Sequence, residues 1–367
     1  MRWTIFQAAV ICVFVGTGAI NTIIVKFADL QESKGIDGVT REYMHPGIQC
    51  CQMFLAMSFN FIVFKILFCV FKKKSIEMVD EHKLTKGNRN FNVFILWLPA
   101  FCDMVSTITL LFALYLTYAS SYQMLRGSVI IFTAILSVPI FHRIPHVREI
   151  TGIFLVMFGL TVVGVSDYFD KLEDDDAKET KNVIVGDVMV VSAQFISAIQ
   201  GILEEKFLVD KNIPPLQAVG WEGILGFSST ALLLIPMYFI YVGEQFSNNA
   251  KGTLEDVLDA FVQIGNNWKI LLATIVAICS IAVYNFCALT VGSELSATTR
   301  QVLDSVRTVI VWTISVCFFG QKFQYIQLIG FLLLLAGMAF YNNIGCSFLR
   351  NKCCPPKEVT GNQEEQK

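Results

Sequence analysis

Arg300, Asp304 and Arg307 stand at intervals of four and three inside an otherwise apolar stretch, ELSATTRQVLDSVRTVIVWTISVCFF, which begins at Glu294. Those spacings put all three on one face of a helix. In a helix that crosses a bilayer, one guanidinium near the centre costs about 2.5–3.5 kcal/mol even on the lenient insertion scale. Three ionisable groups on a single face therefore predict that this face borders a polar cavity and not lipid. Asp304 is within reach of both arginines, so mutual pairing that merely stiffens the helix is the plain alternative. Even then a net positive charge survives, and it requires a carboxylate on another helix or an anionic ligand. Guanidinium groups grip phosphate or carboxylate through paired hydrogen bonds, so the chemistry expected here is recognition of an anion.

Other polar groups lie in apolar stretches and join this candidate site. Gln123, Arg126 and Gln301 flank or mirror the charged trio, while Asp103 and Asp187 are carboxylates suited to coupling transport to protons. Glu204 and Glu205 end a span beside Lys206 and read as interfacial and structural; Glu222 follows Trp221 within a span. Arg126 occupies the place in a first repeat that Asp304 occupies in a second, which suggests a charge pair across a pseudo-twofold axis. His142 and His146 lie four apart, but with Pro145 between them and no third ligand they read as a turn, not a metal site. No Ser-His-Asp arrangement, GxSxG, HExxH, phosphate loop or dinucleotide fingerprint is present, so an enzyme, a cofactor and ATP-driven pumping are not expected. The cysteines form no CxxC pair, which gives neither a zinc site nor a disulfide framework; Cys346, Cys353 and Cys354 are open to palmitoylation.

The elements that must carry these residues are membrane spans. Apolar residues make up 54% of the chain and charged residues 16%, well below the quarter or so of a soluble domain. A net charge of −2 and the lack of a basic, aromatic-laced stripe exclude a nucleic-acid partner. Ten stretches reach the twenty or so apolar residues a span needs: 4–25, 47–71, 91–112, 120–141, 150–167, 184–204, 216–242, 269–291, 295–319 and 324–345. The first is read as a retained helix, with a cleaved signal peptide as its alternative. TGIFLVMFGL matches IGFLLLLAGM with Gly152 on Gly330, an offset of 330 − 152 = 178. The same offset pairs Gln123 with Gln301, Leu125 with Leu303, Ser137 with Ser315, Phe141 with Phe319 and Gly159 with Gly337. A repeat of five spans inserts its second copy upside-down, the usual build of secondary carriers. The expected fold is thus all-α and integral to the membrane, ten helices in two inverted five-helix repeats. Residues 1–165 form the first repeat, 166–183 an acidic lumenal linker, 184–345 the second repeat and 346–367 a polar tail.

Lys72, Lys73, Lys74, Lys83, Lys86 and Arg89, then Arg143, Arg148, Arg350, Lys352 and Lys357, all fall on the side that holds both termini. By the positive-inside rule that side is cytosolic. The other side receives the Asp174–Asp176 run and GTLEDVLDAFVQIG, whose Leu254, Val257, Leu258, Phe261 and Val262 make an apolar stripe. Thr253 with Asp256 suggests a capping box, and a short interfacial helix over about 253–264 is expected.

SSYQMLRGSVIIFT (120–133), GILEEKF (201–207), GTLEDVLDAF (252–261) and ELSATTRQVLDSVRTV (294–309) resemble the drug/metabolite transporter superfamily. Within that EamA-like group they resemble the F subfamily of solute carrier family 35, which includes the nucleotide-sugar carriers. The resemblance covers nearly the whole chain to about residue 345. It implies a multi-pass carrier of a small solute in the lysosomal membrane, with mitochondrial or Golgi membranes as alternatives. In nucleotide-sugar carriers a basic residue of the ninth helix meets the phosphates, and Arg307 lies in that region. The GALNK-type motif of the GDP-mannose branch is absent, VLDSVRT standing in its place. The resulting expectation is a secondary carrier of an anionic or zwitterionic metabolite, alone, as a homodimer or beside another carrier. A transporter-shaped regulator of another carrier is the competing reading.

Overall fold

The computed structural model of the chain describes residues 5–74, 84–141, 146–173, 177–243, 247–249, 251–294, 297–318 and 325–341. Its helices are α1 (Ile5–Asp29), α2 (Pro46–Lys74), α3 (Trp97–Leu116), α4, α5 (Val147–Glu173), α6 (Ala177–Lys211), α7 (Pro215–Met237), α8 (Val257–Asn266), α9 (Trp268–Glu294), α10 (Ala297–Phe318) and α11 (Tyr325–Tyr341). Helix α4 consists of Ala119–Leu125 and Val129–Phe141, joined by a 3-10 turn at Arg126–Ser128. Among the described residues eight helices have the length and apolar composition to cross a membrane, and α11 is apolar but shorter.

Local chemistry sets several boundaries. Asn92 caps a 3-10 turn at Val93–Leu96 that leads into α3, so this helix starts and ends a few residues later than hydropathy alone suggests. Pro215 opens α7 at a position where the missing N–H costs nothing. The expected acidic linker is largely helical: α5 runs on to Glu173 and α6 begins at Ala177. Ala, Glu and Lys are strong helix formers, and outside the membrane nothing stops them from prolonging a span. Asp174–Asp176 lie outside the described residues.

The connector before α2 holds a hairpin that hydropathy does not reveal, β1 (Glu32–Lys34) against β2 (Thr40–Glu42). Gly38 takes a φ of 77° in its turn, which the Asp37-Gly38 pair allows. Helix α8 begins at Val257, four residues beyond the expected Thr253 start. Asp256 caps it alone, accepting from the N–H groups of Leu258 and Asp259 at 3.1 and 3.2 Å. Thr253 instead bridges to Tyr241. Leu258 and Phe261 are exposed, whereas Asp259 and Gln263 are buried against the hairpin. An outward apolar edge with an inward polar one is the arrangement of a helix lying at a membrane surface.

The bundle is organised by helix pairs: α1 with α9, α3 with α6, α2 with α7, and α5 with α11. Exchanging α1 with α6, α2 with α7, α3 with α9, α4 with α10 and α5 with α11 leaves that set unchanged. Two weaker sets of contacts obey the same exchange, α4–α6 answering α10–α1 and α2–α9 answering α7–α3. The α5–α11 seam repeats it at atomic scale. A Cβ on Gly152 would sit 2.9 Å from the Gly337 carbonyl oxygen, and one on Gly330 would sit 3.0 Å from that of Gly159. Glycine at these places lets two backbones touch, as small residues do between membrane helices.

Gly159→Ala puts a methyl 2.8 Å from the Gly330 carbonyl, whereas Gly164→Ala, also in α5, meets nothing within 4 Å. Relative to Gly164→Ala, Gly159→Ala is expected to lose about 1–3 kcal/mol, the usual cost of overpacking. Thermal unfolding of the two variants in the same detergent measures the difference, and equal midpoints would contradict the seam.

Candidate functional site

Helices α1, α2, α3, α4, α6, α7, α9 and α10 surround a polar chamber built of two connected parts. The inner part, about 480 Å³, is lined by Asn21, Gln49, Gln52, Asp103, Thr107, Gln194, Gln200, Glu222, Asn285 and Arg307 among others. The outer part, about 1020 Å³, adds Lys86, Thr133, Glu205, Asn212, Pro215, Asp304 and Tyr341. Arg126, Ser197, Glu204, Tyr284 and Arg300 line both. Lys86 belongs to the connector before α3 and Asn212 to the turn before α7, so the chamber reaches that end of the bundle. The inner part alone has the volume of a small-molecule site.

Helix α10 supplies the guanidiniums. Arg307 is buried, and its Nη2 pairs with Asp304 Oδ2 at 3.1 Å while its Nη1 donates to the Tyr284 hydroxyl at 3.1 Å. That hydroxyl in turn donates to Asp304 Oδ1 at 3.2 Å, closing a triangle between α9 and α10. The Tyr284 ring stacks on Phe14 of α1 with centroids 5.0 Å apart. A Cβ on Gly18 of α1 would lie 2.7 Å from Arg307 Cδ and 2.8 Å from the Tyr284 ring, so only glycine leaves room for the triangle there. Arg300, two turns nearer the start of α10, is exposed and lines the chamber, and it acts electrostatically on Glu204.

The expected pair between Arg126 and Asp304 is not formed. Arg126 lies over the Tyr122 ring at 5.7 Å, and Asp304 takes Arg307 and Tyr284 instead. Gln123 is buried and donates to Thr22 of α1 at 2.7 Å, outside the chamber lining, so it serves helix packing. Asp187 also lies off the lining. It accepts from Thr117 at 2.7 Å, where Lys26 donates to the end carbonyls of α3, Leu114 and Thr117, at 2.6 and 3.3 Å. Asp187 thus helps to anchor the end of α3. The side chain of Gln301 lies outside the described residues, as do His142, Cys346, Cys353 and Cys354.

Asp103 is in the inner chamber, and Glu204, expected at the interface, lines both parts. Helix α6 carries Glu204 further inward than the count of apolar residues suggests, and Gln200 donates to it at 2.9 Å. Glu222 is 3% exposed, and its buried Oε1 has no hydrogen-bond partner among the described residues. Glu222 feels the charges of Glu204 and Asp103. The chamber therefore has an acidic side on α3, α6 and α7 and a basic side on α4 and α10. Tyr284, Asn285, Gln194 and Gly18 escaped sequence reasoning. The Tyr284-Asn285 pair in an otherwise apolar span was the one available signal.

Residues 5–217 match the nucleotide-sugar transporter family, and residues 184–343 match the EamA-like transporter family. Solute carrier family 35 member F6 of Homo sapiens is 42% identical over 345 residues, covering 94% of this chain and 91% of that one. The Rattus norvegicus counterpart matches at 42% over the same share of this chain and 90% of its own. An uncharacterized protein of Schizosaccharomyces pombe is 29% identical over 247 residues, 67% of this chain and 73% of its own. A solved crystal structure with 12% identity superposes at a TM-score of 0.51 over 92% of this chain and 98% of that one, a likeness of fold.

Asp304→Asn keeps the shape of the triangle but leaves the Arg307 charge, 7% exposed, without its counter-ion. Asp304 itself is 41% exposed, so water screens part of the loss. A drop of about 1–3 kcal/mol in stability is expected, with recovery in the double variant Asp304→Asn, Arg307→Met. Detergent unfolding of the single and double variants measures this, and a single variant as stable as the natural protein would exclude the triangle.

Proposed function

The chain belongs to solute carrier family 35 and is a multi-pass membrane transporter of small solutes; on that premise we propose that it is a secondary carrier of a metabolite bearing an anionic group, with a zwitterion as the preferred class. The carrying observation is the chamber itself. Arg300 and Arg126 line both of its parts, and Asp103, Glu204 and Glu222 line it as well, with Arg300 close enough to act on Glu204 and Arg126 on Asp103. Guanidiniums at the junction of the two cavities suit a carboxylate or phosphate, and the acidic side suits a cationic group of the same solute. Because Arg307 is already paired with Asp304, Arg300 and Arg126 carry recognition, and Arg307 positions the site.

In this reading ten spans form two inverted halves, 1–165 and 184–345, that rock about the chamber. The reciprocal helix pairing and the α5–α11 glycine contacts support it. Both termini lie in the cytosol, on the side of Lys86 and the chamber mouth, and the membrane is lysosomal. Asp103 and Glu222 are the groups that respond to a proton gradient.

The test is a thermal-shift screen of the purified full-length protein against nucleotide sugars, nucleotides, amino acids and vitamins, followed by uptake of the stabilising compounds into proteoliposomes. Arg300→Ala is expected to weaken both binding and uptake at least roughly tenfold, the equivalent of one charge-assisted contact. Solutes that bind and cross equally well in Arg300→Ala and Arg126→Ala would overturn the assignment.

A further inference from the structure

At the end of the bundle opposite the chamber mouth two segments are tied to each other, the hairpin segment before α2 and the segment before α9 that contains α8. We propose that Glu255 is a latch, held by His45 and Gly47, whose release opens the chamber at this capped end. The proposal rests on reading the chain as an alternating-access carrier.

Both oxygens of Glu255 are engaged across the two connectors. Oε1 lies 2.6 Å from His45 Nδ1, and Oε2 accepts from the Gly47 N–H at 2.6 Å. Gly47 stands in the first turn of α2, where free N–H groups and the helix dipole favour a carboxylate. His45 Nε2 is 3.8 Å from Asp259, which accepts from the Ile36 N–H at 2.7 Å. His45, Glu255 and Asp259 are each no more than 1% exposed. The donors come from the connector before α2 and from the first turn of α2, and both carboxylates come from the segment before α9. The latch therefore joins the segment before α2 to the segment before α9, beside the Ser33–Gln263, Asn266–Lys34 and Asn267–Glu32 bonds.

The contact is coupled directly to the chamber. Gln49 and Gln52, one and two turns into α2, line the inner chamber, and Gln49 also donates to Asp29 at the end of α1 at 2.7 Å. Moving the start of α2 away from Glu255 would carry both glutamines off the closed end of the chamber. A carboxylate buried this deeply is stable with its partners or in water, and in neither intermediate condition. That property makes the closure two-state, as alternating access requires.

The experiment uses the full-length protein in sealed vesicles of known orientation, with Val129→Cys as reporter, since Val129 lines both parts of the chamber. A membrane-impermeant maleimide is added to one face at a time, and peptide mass spectrometry reads label at position 129 alone. Labelling in this background is expected from the face of the chamber mouth. Adding Glu255→Gln, or Glu255→Ala, should raise labelling from the capped face at least about tenfold. Unchanged capped-face labelling in both, with mouth-face labelling retained, overturns the latch. If those variants fail to fold, Ser33→Cys with Gln263→Cys is oxidised to tie the connectors, whose Ser33 Oγ and Gln263 carbonyl are 2.8 Å apart. Capped-face labelling that disappears on oxidation and returns with reductant supports the latch, and labelling indifferent to the tie refutes it. Labelling that rises in Glu255→Gln although no solute crosses would remove the carrier reading and leave the latch standing.

Discussion

A guanidinium on a helix packed among membrane-spanning helices has to find water or a counter-ion, and this requirement shapes the centre of the bundle. Helix α10 carries Arg300 and Arg307 on one face together with Asp304. Arg307 meets the requirement with Asp304 and the Tyr284 hydroxyl, while Arg300 meets it with a chamber that also holds Glu204. Both solutions need helices that leave space. Gly18 provides it on α1, and the kinked α4, with its 3-10 turn at Arg126–Ser128, brings a third guanidinium to the same cavity.

The charges have to be surrounded by helices that meet tightly elsewhere. Glycines on α5 and α11 let those backbones touch at one flank, and the exchange symmetry of the pairing places each tight seam so that it serves both halves equally. Close-packed seams beside a polar centre fit the rocking carrier proposed above. The buried contact of Glu255 with His45 and Gly47 ties two segments together at one end, and Lys86 and Asn212 line the chamber at the other.

Eight of the ten expected spans, the contacting glycines and the charged face of α10 were legible because each rests on a periodicity that a single helix writes into its own sequence. The same holds for Asp103, which stands alone in an apolar run. Partner choice was not legible. Asp304 has a symmetry mate in Arg126, yet the nearer Arg307, one turn along the same helix, takes it, and no repeat offset reports that distance. Gln123 and Asp187 have the composition of site residues but spend their hydrogen bonds on neighbouring helices, which only the packing decides. Glu204 read as interfacial because its neighbours are charged, whereas α6 runs far enough past the apolar stretch to place it inward. The hairpin and the start of α8 depend on Gly38 and on Asp256, short-range signals that hydropathy averages away.

The direct test of the account is which medium Arg300 meets. In Arg300→Cys, a charged, water-soluble thiosulfonate is predicted to react at a rate near that of an exposed thiol, and a lipid-soluble maleimide slowly. Rapid reaction with the lipid-soluble reagent and none with the charged one would mean that this face of α10 looks at acyl chains, and the chamber would not be the path of a solute.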